Sequence, residues 1–160
     1  MSAAARRVFL IIAILALAGV IDSGVALRSH YAKSKSAYCD FGESFNCDIV
    51  NRSMYSVVMG VPVALIGVLG YAGLLALATL YRVKAETPVI LLIAAVAGLG
   101  FAIYLTYIEA YVLTVWCVLC LASLGLITAI TVLASWLASD VLRRSTSPEG
   151  ASTQRHGDTE

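Results

Sequence analysis

The chain has 160 residues, 60% apolar and 13% charged, with a formal net charge of +1 and a mean hydropathy of +0.88. A soluble domain carries about a quarter charged residues, so this composition describes a membrane protein. The near-neutral charge, without a basic run or aromatic–basic interleaving, excludes a nucleic-acid surface, and the length suits one bundle rather than two domains.

A membrane span needs roughly 20 apolar residues. Four such runs follow one another, at 8–27, 57–81, 88–108 and 116–138. The expected fold class is an all-α integral membrane protein, a four-transmembrane-helix bundle spanning residues 1–140. The first run follows Arg6 and Arg7 as a signal peptide would, but it is long for one, so it is read as a retained span. Asp22 lies in its outer third. An ionisable group inside a span suggests function by default, here proton relay. Next to Ser23, however, Asp22 reads better as solvated near the headgroups, and Arg28 is poorly spaced to pair with it.

A polar loop of 29 residues, 28–56, separates the first two runs and carries Cys39 and Cys47, with seven residues between them. That spacing permits a disulfide, and Gly42 with its polar neighbours supports a mobile loop. A structural staple and a redox pair both remain open. In the second run Pro62 falls in the first helical turns, where a missing N–H costs least. Small residues recur every four positions at Gly60/Ala64, Ala72/Ala76 and Ala94/Gly98/Ala102, which lets helix backbones approach closely in lipid. Around the outer end of the third and fourth runs stand Tyr104, Tyr107, Tyr111 and Trp116, the makings of an interfacial aromatic belt, with Glu109 interfacial beside them. Phe101 with Tyr104, or Tyr104 with Tyr107, could line a ring-binding cleft of apolar walls and few polar groups.

The fourth run opens on Cys117-Val-Leu-Cys120. Residues three apart share a helix face, and the unpaired N–H groups of a helix start favour a thiolate and speed thiol–disulfide exchange. These four cysteines are all the chain has. Redox activity is the expectation, and inert or permanently bridged thiols are the alternative. Zinc is disfavoured, because seven residues between Cys39 and Cys47 exceed the usual knuckle spacing. His30 and His156 read as solvated, and no metal site is expected. The 141–160 tail is Ser/Thr/Gly-rich without apolar periodicity and reads as disordered and cytoplasmic.

Orientation follows the basic residues. Arg6, Arg7, Arg82, Lys84, Arg143 and Arg144 collect on one side; Arg28, Lys33, Lys35 and Arg52 collect on the other. Both termini are therefore expected in the cytoplasm, and all four cysteines on the outer, oxidising face.

The order of these motifs, a C-x7-C loop and then a C-x-x-C starting the fourth span, resembles the vitamin K epoxide reductase family. The stretches Tyr-Leu-Thr-Tyr-Ile-Glu at 104–109 and Gly-Val-Pro-Val-Ala-Leu-Ile-Gly at 60–67 are similar to its bacterial members, and the resemblance covers about residues 7–138. It implies a four-helix bundle around a quinone of the ubiquinone or menaquinone class. It further implies that Cys39 meets a partner's thiols, that Cys47 exchanges with Cys117, and that Cys120 lies nearest the quinone with Ser53 close by. Tyr104 and Tyr107 are added as candidate quinone contacts. Many bacterial relatives carry a fused thioredoxin-like domain, for which the tail is too short, so a separate thioredoxin-like periplasmic partner is expected. Leu124 stands where vertebrate enzymes have Tyr, which favours plain quinone over vitamin K epoxide. The expectation is a thiol–quinone oxidoreductase of the bacterial inner membrane that supports disulfide formation in exported proteins.

Three rivals make different predictions. A second four-helix quinone-linked oxidase family carries its two cysteine pairs in the reverse order. A soft-metal binder or transporter calls for cysteines on both faces or within spans. A stapled structural protein leaves Cys117 and Cys120 dispensable.

Overall fold

A computed structural model describes residues 3–31, 47–51, 53–58, 60–80 and 86–146. Cys39 and the rest of 32–46, and the tail beyond 146, lie outside the described residues. Five helices run in order: α1 (Ala3–Tyr31), the short α2 (Cys47–Asn51), α3 (Val63–Thr79), α4 (Thr87–Ile108) and α5 (Val118–Thr146). Strands β1 (Val57–Val58) and β2 (Val61–Pro62) form a small antiparallel hairpin ahead of α3.

The long helices are apolar on every side. In α1 the buried positions Phe9, Ile12, Ala16 and Gly19 recur at helical spacing, while Leu10, Ile14, Leu17 and Ile21 on the other faces stay exposed. A helix that is hydrophobic all round suits a membrane span rather than a water-facing helix. Among the described residues three helices, Ala3–Tyr31, Thr87–Leu113 and Val118–Arg143, are long and apolar enough to cross a membrane, and Val63–Thr79 is a shorter apolar helix.

Helix ends follow local chemistry. The run expected as a helix from residue 57 begins only at Val63. Gly60 takes φ +84°, a left-handed conformation open to glycine because it lacks Cβ. Pro62, with extended φ −59° and ψ 131°, caps the helix instead of sitting inside it. Gly60 therefore belongs to the hairpin and not to a small-residue helix face with Ala64. In α4, Pro88 occupies the first turn, where its missing N–H is tolerated. That helix ends in a π-helical turn, Glu109–Leu113. The chain then reverses through Thr114, a non-glycine residue at φ 51° and ψ 25°. The last helix runs past the expected 138 to Thr146.

Packing rests on close approaches at small residues. α1 lies chiefly against α3 and α5, and α4 against α5. Gly19 of α1 receives the ring of Tyr71 from α3, so closely that a Cβ there would overlap it. Gly67 of α3 faces the Ser23 hydroxyl of α1, and Gly98 of α4 faces Ile127 of α5. The main core, with Ile12, Ala16, Leu91, Ala95, Ile130 and Ala134 fully buried, fills the end of the bundle that holds the N-terminus. The other end carries the cysteines and a cavity.

Candidate functional site

At that end α2 tucks under the α4–α5 turn. Cys47 and Val50 of α2 form a small buried cluster with Cys117, against which Leu113, Val115, Leu119 and Cys120 pack. Cys47 and Cys117 are both 0% exposed. Cys47 is disulfide-bonded, whereas Cys117 and Cys120 are free thiols. Cys117 precedes the first residue of α5, and Cys120 lies in its first turn. The short spacing thus splits the pair between two surroundings: Cys117 faces the α2 cluster, and Cys120 borders the cavity. The neighbouring Cys120 thiol, hydrogen-bonding to the Cys117 sulfur, holds Cys117 below its ordinary thiol value, and burial opposes that effect.

Glu109 is the third member of the group. Sequence reasoning placed it at the membrane interface; it is in fact 2% exposed. It lies four residues beyond Leu105 on the inward face of α4, and its side chain reaches the cysteine turn. Its Oε2 accepts the Cys117 backbone N–H at 3.1 Å. Its Oε1 is buried and finds no hydrogen-bond partner among the described residues. A carboxylate oxygen of Glu109 and the sulfurs of Cys117 and Cys120 lie within 4.8 Å of one another. Donors this close can share a proton, and they could also hold a soft cation.

The cavity has a volume of about 380 Å³. Its walls come from α1, α3, α4 and α5. Leu119, Cys120, Ser123 and Ile127 line it from one face of α5, at the three- and four-residue spacing of neighbours on a helix. Ala94, Gly98, Phe101 and Ala102 do the same from α4, so the small-residue stripe seen in the sequence forms a cavity wall. Polar groups are few. Ser53 and Glu109 line it along with Cys120, Glu109 close to the Cys120 sulfur, and Asp22 and His30 contribute from α1. Across the cavity the Tyr71 hydroxyl donates to the Ser123 carbonyl at 2.8 Å and lies 2.9 Å from the Ser123 hydroxyl.

These features bring together two free thiols, the Cys47 sulfur and a largely apolar pocket. The pattern of the vitamin K epoxide reductase family fits residues 10–135. The chain belongs to that family. Members of the vitamin K epoxide reductase family are membrane redox enzymes that work on thiols and quinones, so this protein is a membrane oxidoreductase.

Not every expected residue reaches the site of this family member. Ser53 lines the cavity, its hydroxyl donating to the Val50 carbonyl at 2.8 Å. Tyr104 and Tyr107 do not line it; they are 56% and 58% exposed. The reason is helical phase. Phe101, Leu105 and Ile108 hold the inward face of α4, which turns Tyr104 and Tyr107 outward. There Tyr107 pairs with Tyr111, ring centroids 4.8 Å apart. Of the aromatic pairs expected to form a cleft, only Phe101 contributes. Asp22 and His30, both half-buried, border the cavity. Leu124 does not line it. Tyr71 and Ser123 were not anticipated, although Ser123 lies one helical turn beyond Cys120. Glu109 had a visible signal as well: it is an acidic residue eight positions before Cys117 in an otherwise apolar stretch.

Proposed function

We propose that this protein is a thiol–quinone oxidoreductase of the bacterial inner membrane. It takes electrons from a separate thioredoxin-like periplasmic dithiol protein and passes them through Cys39/Cys47 and Cys117/Cys120 to a quinone of the ubiquinone or menaquinone class. One observation carries the reading: Cys47 and Cys117 share a single buried cluster while Cys120 borders the cavity. That supports a C-x-x-C working between an exchange partner on one side and a ligand pocket on the other.

A partner thiolate opens the Cys39–Cys47 disulfide at Cys39. The freed Cys47 thiolate attacks the Cys117 sulfur of a Cys117–Cys120 disulfide, and Cys120 leaves as thiolate. The partner's second thiolate attacks the partner sulfur of the partner–Cys39 disulfide, so that the partner leaves oxidised and Cys39 is freed as thiolate. Cys39 then attacks Cys47 of the Cys47–Cys117 disulfide, which restores Cys39–Cys47 and leaves Cys117 and Cys120 reduced. A quinone, when bound, supplies an acceptor for two electrons and two protons. The cavity suits such a ligand, being apolar along Ala94, Phe101 and Ala102 with a few polar groups near Cys120. Ser53 and Cys120 would hold the ring end. Leu124, standing where vertebrate enzymes have Tyr, favours plain quinone over vitamin K epoxide.

The topology belongs to the same proposal. Residues 1–140 form one domain with four spans. The 17-residue α3 rises about 25 Å, near the lower limit for crossing the ~30 Å hydrocarbon core. Both termini are cytoplasmic, and the cysteines face the periplasm, where the oxidised partner makes disulfides in exported proteins.

A soft-metal site is the second reading, favoured by the proximity of the Glu109, Cys117 and Cys120 donors. One experiment separates the two. Purified protein in detergent is given a quinone and a reduced thioredoxin-like protein, and quinone absorbance is followed for wild type and Cys120→Ala. Quinol formation in the wild type, lost in the variant, supports the oxidoreductase. No quinol with any quinone, together with stoichiometric bound zinc that depends on Cys120, supports the metal reading.

A further inference from the structure

Glu109 has no part in the relay just described, yet it is the carboxylate nearest the thiols among the described residues. We infer that Glu109 is a catalytic proton carrier for the Cys117/Cys120 pair, accepting the proton released when Cys120 ionises and returning it on the cavity side. The inference rests on the thiol–quinone reading and adds a role for a residue outside the cysteine set.

Three observations converge. The side chain is 2% exposed, so bulk water does not serve it. One oxygen is anchored by the Cys117 N–H at 3.1 Å, which fixes the carboxylate against the cysteine turn. The other oxygen is buried with no partner among the described residues, although a buried acceptor normally finds one. Such an atom is an open position for a proton. The group's position gives that proton two neighbours. On one side are the two sulfurs, within 4.8 Å. On the other is the cavity, which Glu109 helps to line.

The balance closes. Oxidation of the Cys117/Cys120 dithiol breaks two S–H bonds and forms one S–S bond, releasing two electrons and two protons. Both electrons and both protons end on the quinone, which becomes quinol. Glu109 holds one of those protons in transit and returns to carboxylate, so it is neither consumed nor reduced. A carboxyl within 4.8 Å of its thiol donor needs only a small movement to close that gap, as catalytic hydrogen bonds do when ligand binds. The other titratable groups on the cavity are Asp22 and His30 of α1, Tyr55 of the turn before β1, and Tyr71 of α3.

The test has a readout that needs no quinone. Infrared difference spectra are recorded between dithiol-reduced and diamide-oxidised protein in detergent, with and without ¹³C-glutamate. The expected result is a protonated-carboxyl band that changes with the redox state of the pair and shifts on labelling. It disappears in Glu109→Gln and persists at an altered frequency in Glu109→Asp. In turnover with quinone, Glu109→Gln falls by about 100-fold or more, and Glu109→Asp recovers part of that loss. The inference is overturned if the labelled wild-type protein shows no redox-linked glutamate band, a result that depends on no variant folding. It is equally overturned if intact Glu109→Gln turns over within about twofold of wild type. Absence of quinol formation in the wild type would instead defeat the oxidoreductase reading, and the infrared result would still report on proton sharing within the group.

Discussion

Replacing Gly19 by Ala tests how the cavity end of the bundle is held. The new Cβ would overlap the Tyr71 ring at Cγ, Cδ1 and Cε1. The ring has little freedom to retreat. It is buried, and its hydroxyl is held by Ser123 at 2.8 and 2.9 Å. Overpacking of this kind costs about 1–3 kcal/mol. Pulling the hydroxyl away from Ser123 adds about 1 kcal/mol. Ala recovers up to ~1 kcal/mol through its better helix propensity. The net loss is about 2 kcal/mol, roughly a 30-fold fall in the folded-to-unfolded ratio. Denaturant unfolding in detergent would measure it, in a double-mutant cycle with Tyr71→Ala. Once the ring is gone, Gly19→Ala should cost nothing, so that nearly all of the ~2 kcal/mol appears as interaction energy. If Gly19→Ala is as harmful in the Tyr71→Ala background, or harmless in the wild type, the packing account fails.

Filling the cavity should separate binding from folding: Ala102→Leu raises the KM for quinone by about tenfold, equivalent to ~1.4 kcal/mol, in a protein that elutes and unfolds like wild type. An unchanged KM would mean the quinone binds elsewhere. Tyr104→Leu and Tyr107→Leu face outward and should leave quinol formation within about twofold of wild type; a large loss in either would restore them to the site. The Cys120 thiol lowers the Cys117 value, so Cys117 thiolate persists toward acid pH. Removing the donor in Cys120→Ala should move the rate-versus-pH curve for Cys117 attack on a small aromatic disulfide to higher pH, and a shift the other way would contradict the hydrogen-bond account. Treatment with a chelator should leave turnover unchanged, whereas loss of activity restored by zinc would favour a metal role.

The class of molecule and the chemistry were legible in the chain because each depends on composition and short-range spacing. Apolar runs of span length identify membrane helices whatever they pack against. A C-x-x-C at the head of a helix sets two sulfurs on one face by helical geometry alone. The motif order, with C-x7-C ahead of C-x-x-C, was enough to indicate the family. Pro62 and Gly60 were also readable as helix breakers, yet the apolar run around them masked the hairpin. Hydropathy is blind to backbone conformation, and Val57, Val58 and Val61 are as apolar in a strand as in a helix.

What the linear order could not decide was which side of each helix faces inward and which groups meet across the bundle. Along α4, Phe101, Tyr104 and Tyr107 are equally plausible cleft residues, and only the packing of α4 against α5 turns Phe101 in and the two tyrosines out. Glu109 looked interfacial because an acidic group at a span end usually is. Its position four residues beyond Leu105 puts it on the inward face of α4, and the chain reversal that follows brings the Cys117 N–H onto it. Tyr71 and Ser123 lie 52 positions apart, a separation at which no local pattern survives. The sequence by itself determined that this is a membrane protein carrying two cysteine pairs. The tertiary structure decided that Cys117 meets the Cys47 cluster, that Cys120 meets a cavity, and that a buried carboxylate sits between them, because those relations come from helix phase and long-range packing rather than from spacing along the chain.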